Sequence, residues 1–319
     1  MTTLNLPARK PFHFLSVINS HGWRQLAPFS YDEAAHILGY TLRLSNARVI
    51  ELMLCDEKDG VRIETDKLKK SEQNEVADAV NWMFGLDMNF SRFYTASRLE
   101  PKLVRARKLA LGRLLRSPAL FEDVIKTIFT TNTLWGATKN MTRKLVEEFG
   151  AHLHSPAPAP GAGVRQVQVS NASGNNTHST LSANNKAFPT PEAIAASTPE
   201  YIKEKIRVGY RAPAIHQLAV RVASGQLDLE ALKTSTLPTL ELRKELMNLS
   251  GVGPYAAANL LLILGHTDFI PIDSWALKLV SHEWYKGEPI TAKEVEKRFE
   301  KWGEYKGLAF WFWDWKYKG

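Results

Sequence analysis

Residues 249–280 read "LSGVGPYAAANLLLILGHTDFIPIDSWALKLV". Two glycines and a proline separate two helix-like runs, and Asp273 closes the apolar loop that follows. Leu242, Leu246 and Leu249 mark an apolar stripe ahead of the turn, while Pro254 suits the first turn of a second helix. Gly251 and Gly253 allow backbone angles that other residues resist. The spacing predicts helix, tight turn, helix. Such a turn can aim the N–H groups of Gly251, Val252 and Gly253 at an anion, with the dipole of the second helix adding to the attraction. The alternative is an ordinary helix hairpin. Asp273 directly precedes another helical pattern, so capping that helix is its simplest role. A carboxylate beside a gripped phosphodiester is electrostatically unfavourable. One purpose that would retain it is to stabilise a positive sugar centre that exists only during a reaction.

Outward from this stretch, the chain reads as α+β. Short β-type runs, "TLRL", "VIELML" and "VRIET", fall between about Phe12 and Thr65, with a turn expected at Asp56 to Gly60. They predict an N-terminal antiparallel sheet domain over residues 1–98. From about Ser71 the period becomes helical. In "ALFEDVIKTIFTTNT", Leu120, Phe121, Val124, Ile125, Ile128 and Phe129 share one face, with Pro118 placed for a first turn. A mostly helical domain is therefore expected over 99–319. Its interruption, about 151–187, is rich in Ala, Pro, Gly, Asn and Ser and reads as a flexible surface insertion, with a short hairpin around "VRQVQV" as the alternative. The basic run "PKLVRARKLALGRLLR" carries Lys102, Arg105, Lys108, Arg113 and Arg116 around an apolar stripe. It would present either a solvated helix face or cations for the phosphates of a partner.

Composition narrows the function classes. At 319 residues the chain can bury a substantial core, and no apolar run reaches the roughly 18 to 20 residues needed to span a bilayer. The N-terminus does not read as a secretory signal, so an intracellular protein is expected: cytoplasm or nucleoid in a bacterium, nucleus in a eukaryote. Cys55 is the only cysteine, which excludes intrachain disulfides and a four-cysteine iron–sulfur cluster. An excess of 41 Lys and Arg over 33 Asp and Glu, a net charge of +8, favours a polyanionic partner.

The glycine turn and its aspartate resemble the helix-hairpin-helix motif and Gly/Pro-rich loop of the base-excision DNA glycosylases, the HhH-GPD superfamily. "VGYRAPAI" (208–215), "IFTTNTLWGATKNMTRKLVEEFG" (128–150) and "WGEYKGLAFWF" (302–312) are similar, in the same order, to segments of its 8-oxoguanine and 3-methyladenine (alkyladenine) branches. The resemblance covers about residues 100–150 and 188–312. It implies that Gly251, Val252 and Gly253 bind phosphate, with a structural monovalent cation, K+ or Na+, at the carbonyls of Leu249 and Val252, and that no cofactor is required. It makes Asp273 the catalytic residue, stabilising the oxocarbenium ion and helping to position or deprotonate water.

Further residues follow by the same resemblance. Tyr255 stands where bifunctional members carry the Schiff-base lysine, so base removal without strand cleavage is expected; packing is its other reading. Asn132 matches the residue that fills the space left by the flipped base, against a simple helix cap. Arg211, in the turn with Tyr210, would contact DNA or make an internal ion pair. Asn259 replaces a pocket cysteine, and Phe310 and Asp314 replace the glutamine and aromatic that hold an oxidised base. With Trp275, the aromatic tail "FWFWDWKYKG" would form either core or a stacking wall for an electron-poor alkylated base.

The resulting expectation is a monomeric, monofunctional glycosylase that flips a damaged base out of duplex DNA and hydrolyses its glycosidic bond, with alkylated purines such as 3-methyladenine as substrates. Two alternatives accompany it: a glycosylase for oxidised (8-oxoguanine) or deaminated bases, and a non-catalytic damage-binding hairpin protein.

Overall fold

The computed structural model describes residues 1–153, 167–170, 176–179 and 186–313. The sheet has five antiparallel strands, β1 (Thr2–Pro7), β2 (Phe29–Asp32), β3 (Ile37–Arg43), β4 (Val49–Glu57) and β5 (Gly60–Thr65), in the order β1-β5-β4-β3-β2. Its register sets apolar residues opposite one another, Leu38 with Leu54, Leu42 with Ile50, and Leu54 with Ile63. The three runs read from sequence are β3, β4 and β5. Two strands escaped that reading, and one of them, β1, lies ahead of the expected start at Phe12. The β4–β5 turn is also tighter than expected, since β4 runs to Glu57 and β5 starts at Gly60, with Asp59 at positive φ.

Helices α1 (Phe14–Ile18), α2 (Lys70–Phe84) and α3 (Ser91–Ser97) complete the N-terminal part. Next come α4 (Leu120–Thr130), α5 (Trp135–Phe149), a small hairpin of β6 (Val167–Ser170) with β7 (Asn176–Ser179), α6 (Pro191–Ala195), α7 (Pro199–Ile206) and α8 (Ala212–Ala223). The chain closes with α9 (Thr239–Met247), α10 (Pro254–Leu264), α11 (Ser274–Trp284), α12 (Ala292–Phe299) and α13 (Lys306–Trp311). Apart from the hairpin and its two flanks, the expected insertion lies outside the described residues, as does Asp314. No helix among the described residues is long and apolar enough to cross a membrane.

Helix α4 joins the sheet to the helical part. Its expected apolar face is buried, and one continuous cluster runs from Leu38, Leu52 and Ile63 of the sheet through Phe121 and Ile125 to Leu246 and Leu261. The opposite face is buried too. Glu122 and Lys126 form an ion pair at 2.5 Å, Tyr40 donates to Glu122 (2.6 Å), and Asp123 accepts from the Trp23 indole (2.7 Å) and the Ser117 amide (3.0 Å). These bonds satisfy groups that would otherwise be costly to bury. The helix begins at Leu120 with Ala119 as its cap, so Pro118 sits outside the first turn.

The basic run corrects a further expectation. Residues 101–112 form successive turns and residues 113–117 have no regular structure; Ala110 and Gly112 adopt positive φ and interrupt any helix. Arg113 is buried, donating to the carbonyls of Gly85, Pro11, Arg9 and Met88, and buried Arg116 lies over the Trp82 ring at 4.3 Å. Neither faces solvent. Lys102 pairs with Glu283 at the surface.

Candidate functional site

Helices α9 and α10 form the expected hairpin. Leu242, Leu246 and Leu249 are buried beneath it. Gly251 takes φ +83°, and a side chain there would lie 3.1 Å from Ala214 Cβ and 3.3 Å from Ile128 Cδ1. The turn therefore requires glycine at this position for conformation and for packing. Gly253 differs: its φ is −94° and a Cβ would meet no protein atom within 4 Å. Nothing in the fold demands glycine there, so the open space is available to a ligand. Val252 is buried and its N–H closes the turn on the Leu249 carbonyl (3.0 Å). Of the three amides expected to face an anion, this one is engaged internally, leaving those of exposed Gly251 and Gly253.

Asp273 caps α11, accepting the Ala276 N–H at 2.8 Å through Oδ1. That accounts for one carboxylate oxygen. The same side chain lines a cavity of about 270 Å3 with Ser20, His21, Tyr255, Trp275, Phe310 and Trp311. Capping fixes the carboxylate in place, and the second oxygen remains for a ligand. Tyr255, on the first turn of α10, has its phenol pushed up by burial and then by the Asp273 charge, so it faces the acid as a neutral hydroxyl. Phe310 is buried and meets the edge of Trp275 at 5.9 Å, while the Trp275 ring is 49% exposed.

A second cavity, about 250 Å3, adjoins the first and shares His21, Tyr255 and Trp311 with it. Asn259 lines it, donating to the Tyr255 carbonyl (3.0 Å), and Trp23, Thr130, Thr133 and Trp135 form other walls. Tyr255, Trp275 and Phe310 are thus brought around Asp273, while Asn259 lines the adjoining cavity and not the one that holds the acid. Sequence reasoning missed the wall supplied by the N-terminal part, above all His21. Its Nε2 lies 2.6 Å from the Leu115 carbonyl, and its ring meets the edges of Trp23 (4.4 Å) and Trp311 (6.1 Å). Burial pushes this imidazole down to about 4, with the Lys126 charge acting in the same direction against the Leu115 hydrogen bond. No local pattern in "NSHGW" marks it.

Beside the cavities, the α4–α5 loop projects outward. Asn132 is exposed at positive φ and donates to the Tyr210 hydroxyl (3.3 Å); it does not cap α4, where Thr131 holds that place. Leu134 is 83% exposed and Tyr210 67%, so two large side chains flank Asn132 without cover. Arg211 corrects both expectations for it. Its buried guanidinium donates to the carbonyls of Ile128 (3.2 Å), Val208 (3.3 Å) and Thr131, so it makes neither an ion pair nor a surface for phosphate. It braces the turn that carries Asn132.

Comparison with known proteins identifies the fold and the family. Solved structures sharing the fold include the 3-methyladenine DNA glycosylase of Archaeoglobus fulgidus (TM-score 0.70, 19% identity, 98% of this chain and 97% of that one). The apo 8-oxoguanine glycosylase/lyase of Clostridium acetobutylicum is similar (TM-score 0.68, 19% identity, 98% and 95%). So is MBOgg1 in complex with a low-affinity DNA ligand (TM-score 0.67, 23% identity, 98% and 93%). No curated protein matches the chain in sequence. The model of the HhH-GPD superfamily base excision DNA repair proteins matches residues 125–304, which hold the hairpin, Asp273 and the projecting loop, and the chain belongs to that superfamily.

Proposed function

We propose that the protein is a monofunctional DNA glycosylase that flips an alkylated purine such as 3-methyladenine out of duplex DNA and hydrolyses its glycosidic bond, leaving an abasic site. The observation that carries this reading is the seat of Asp273: held by its capping bond, it opens onto a cavity walled by Tyr255, Trp275, Phe310 and Trp311. The amides of Gly251 and Gly253 hold a phosphate next to the target nucleotide. Asn132, Leu134 and Tyr210 enter the space the base vacates, offsetting the few kcal/mol that flipping costs. Aromatic walls suit a flat, electron-poor base. The open oxygen of Asp273 faces the sugar, stabilises the oxocarbenium ion and orients the attacking water. Solved DNA complexes among the structural neighbours, such as that of the Clostridium enzyme with duplex DNA, support duplex DNA as the partner.

Tyr255 carries no amine, so no Schiff base forms at that position. The Leu249 carbonyl accepts one hydrogen bond in the turn and keeps a second lone pair, while that of Val252 accepts none of the turn's backbone bonds. The two fit a weakly held monovalent cation, whose charge would add to the attraction for phosphate.

The test is a panel of duplexes, each with one alkylated, oxidised or deaminated base, treated with alkali after incubation to reveal abasic sites. Release of alkylated purines is expected, with no strand cleavage before alkali and no covalent adduct on borohydride treatment. Release confined to oxidised or deaminated bases would refute the substrate class; a borohydride-trapped adduct would refute monofunctionality.

A further inference from the structure

The wall from the N-terminal part has a polarity that the catalytic scheme does not use. Around the two cavities most polar side-chain atoms are already engaged. The indoles of Trp23, Trp135 and Trp311 donate to Asp123, Gln25 and the Ser20 carbonyl (2.7, 3.0 and 2.9 Å). The hydroxyls of Thr130 and Thr138 donate to the carbonyls of Thr127 and Phe129 (2.7 and 2.9 Å). His21 is different. A carbonyl oxygen can only accept, so the 2.6 Å contact with Leu115 places the ring hydrogen on Nε2. In the neutral ring, Nδ1 then carries a bare lone pair and cannot donate, and no described protein atom hydrogen-bonds to it.

The ring cannot easily turn to another role. Ser20 beside it accepts the Trp311 indole at its carbonyl and the Leu115 amide at its hydroxyl (2.9 Å), so both neighbours of the imidazole are tied to the backbone that carries it. Trp23 and Trp311 close on its sides. Burial and the Lys126 charge keep the imidazole neutral near pH 7.

We propose that His21 is a specificity-determining residue that accepts, through Nδ1, a hydrogen bond from an N–H of the flipped base, and so favours bases with a ring or amino N–H on that edge. The inference rests on the glycosylase reading above. A base that presents only lone pairs to this edge meets another lone pair and is disfavoured.

Two alkylated purines separate the cases: 7-methylguanine carries a ring N–H and an amino group, whereas 1,N6-ethenoadenine has no N–H. Single-turnover excision and duplex affinity would be measured for both with the wild type, His21→Phe, which keeps a flat ring but no acceptor, and His21→Gln, which can offer both an N–H to Leu115 and an acceptor. Loss of one hydrogen bond in a buried site predicts a decrease of roughly ten- to a hundred-fold for 7-methylguanine in His21→Phe, and less than about three-fold for 1,N6-ethenoadenine. His21→Gln should regain part of the loss. Equal losses on both bases, or His21→Gln no better than His21→Phe, would overturn the assignment while leaving the glycosylase reading intact. Failure of the wild type to excise or prefer either duplex over undamaged DNA would sink both.

Discussion

Two glycines of one turn, two residues apart, should respond to alanine in opposite ways. Gly251→Ala forces a side chain into φ +83° and sets a methyl 3.1 Å from Ala214 Cβ and 3.3 Å from Ile128 Cδ1. The backbone term is about 1 kcal/mol and the crowding adds about another 1 kcal/mol, a loss of about 2 kcal/mol in folding stability. Gly253→Ala meets no atom within 4 Å at an ordinary φ of −94°. Its stability should be unchanged or higher by about 0.5 kcal/mol, through the smaller entropy of the unfolded chain. Binding reverses the order. The added methyl at 253 stands where a phosphate would approach, and a weakened hydrogen bond to a charged group predicts an affinity loss of about ten-fold or more. Urea denaturation reads the first effect; anisotropy of a labelled duplex, titrated at several salt concentrations, reads the second. A Gly253→Ala protein that binds duplex as tightly as the wild type, with the same salt dependence, would refute the phosphate-gripping turn.

Two further predictions concern how the N-terminal part is joined to the site. A methyl at Gly22 would overlap the Trp135 ring, whose indole bonds to Gln25, so Gly22→Ala should cost about 1–3 kcal/mol by thermal denaturation; adding Trp135→Leu should recover much of it, and an unchanged melting temperature in the single variant would contradict the packing. In the fully buried Glu122–Lys126 pair, Glu122→Ala leaves the ammonium uncompensated and should cost about 3–5 kcal/mol, whereas removing both charges with Glu122→Leu and Lys126→Met should cost far less; equal losses in urea would show that the pair is not the relevant unit.

The hairpin and Asp273 were legible because their signals are local: turn chemistry and a capping position can be read from a dozen residues. The sheet was legible only where strands are apolar on alternate positions or throughout. "TTLNLP" offers only two alternating leucines before its proline and "FSYD" is four residues long, so β1 and β2 depend on pairing with β5 and β3 more than on their own short patterns. The basic run failed for a different reason. Charges at helical spacing imply an exposed face only if the backbone is helical, and the positive φ of Ala110 and Gly112 turns Arg113 inward onto four carbonyls. Arg211 likewise looked like a DNA contact because a cation in a turn gives no hint of the carbonyls that fold around it. His21 had no signal at all, since its meaning depends on the Leu115 carbonyl that holds its ring and on Trp311 and Asp273, which only the tertiary fold brings into one cavity with it.

In the proposed reaction the carboxylate of Asp273 drives base removal while the hairpin and loop hold DNA. Asp273→Asn keeps an oxygen for the Ala276 N–H, so the cap and fold should survive. The direct measurement is single-turnover excision and duplex affinity of this variant beside the wild type, on the best substrate of the base panel. Excision should fall by about a thousand-fold or more, with affinity within a few-fold of the wild type. Excision at the wild-type rate would contradict that role for Asp273.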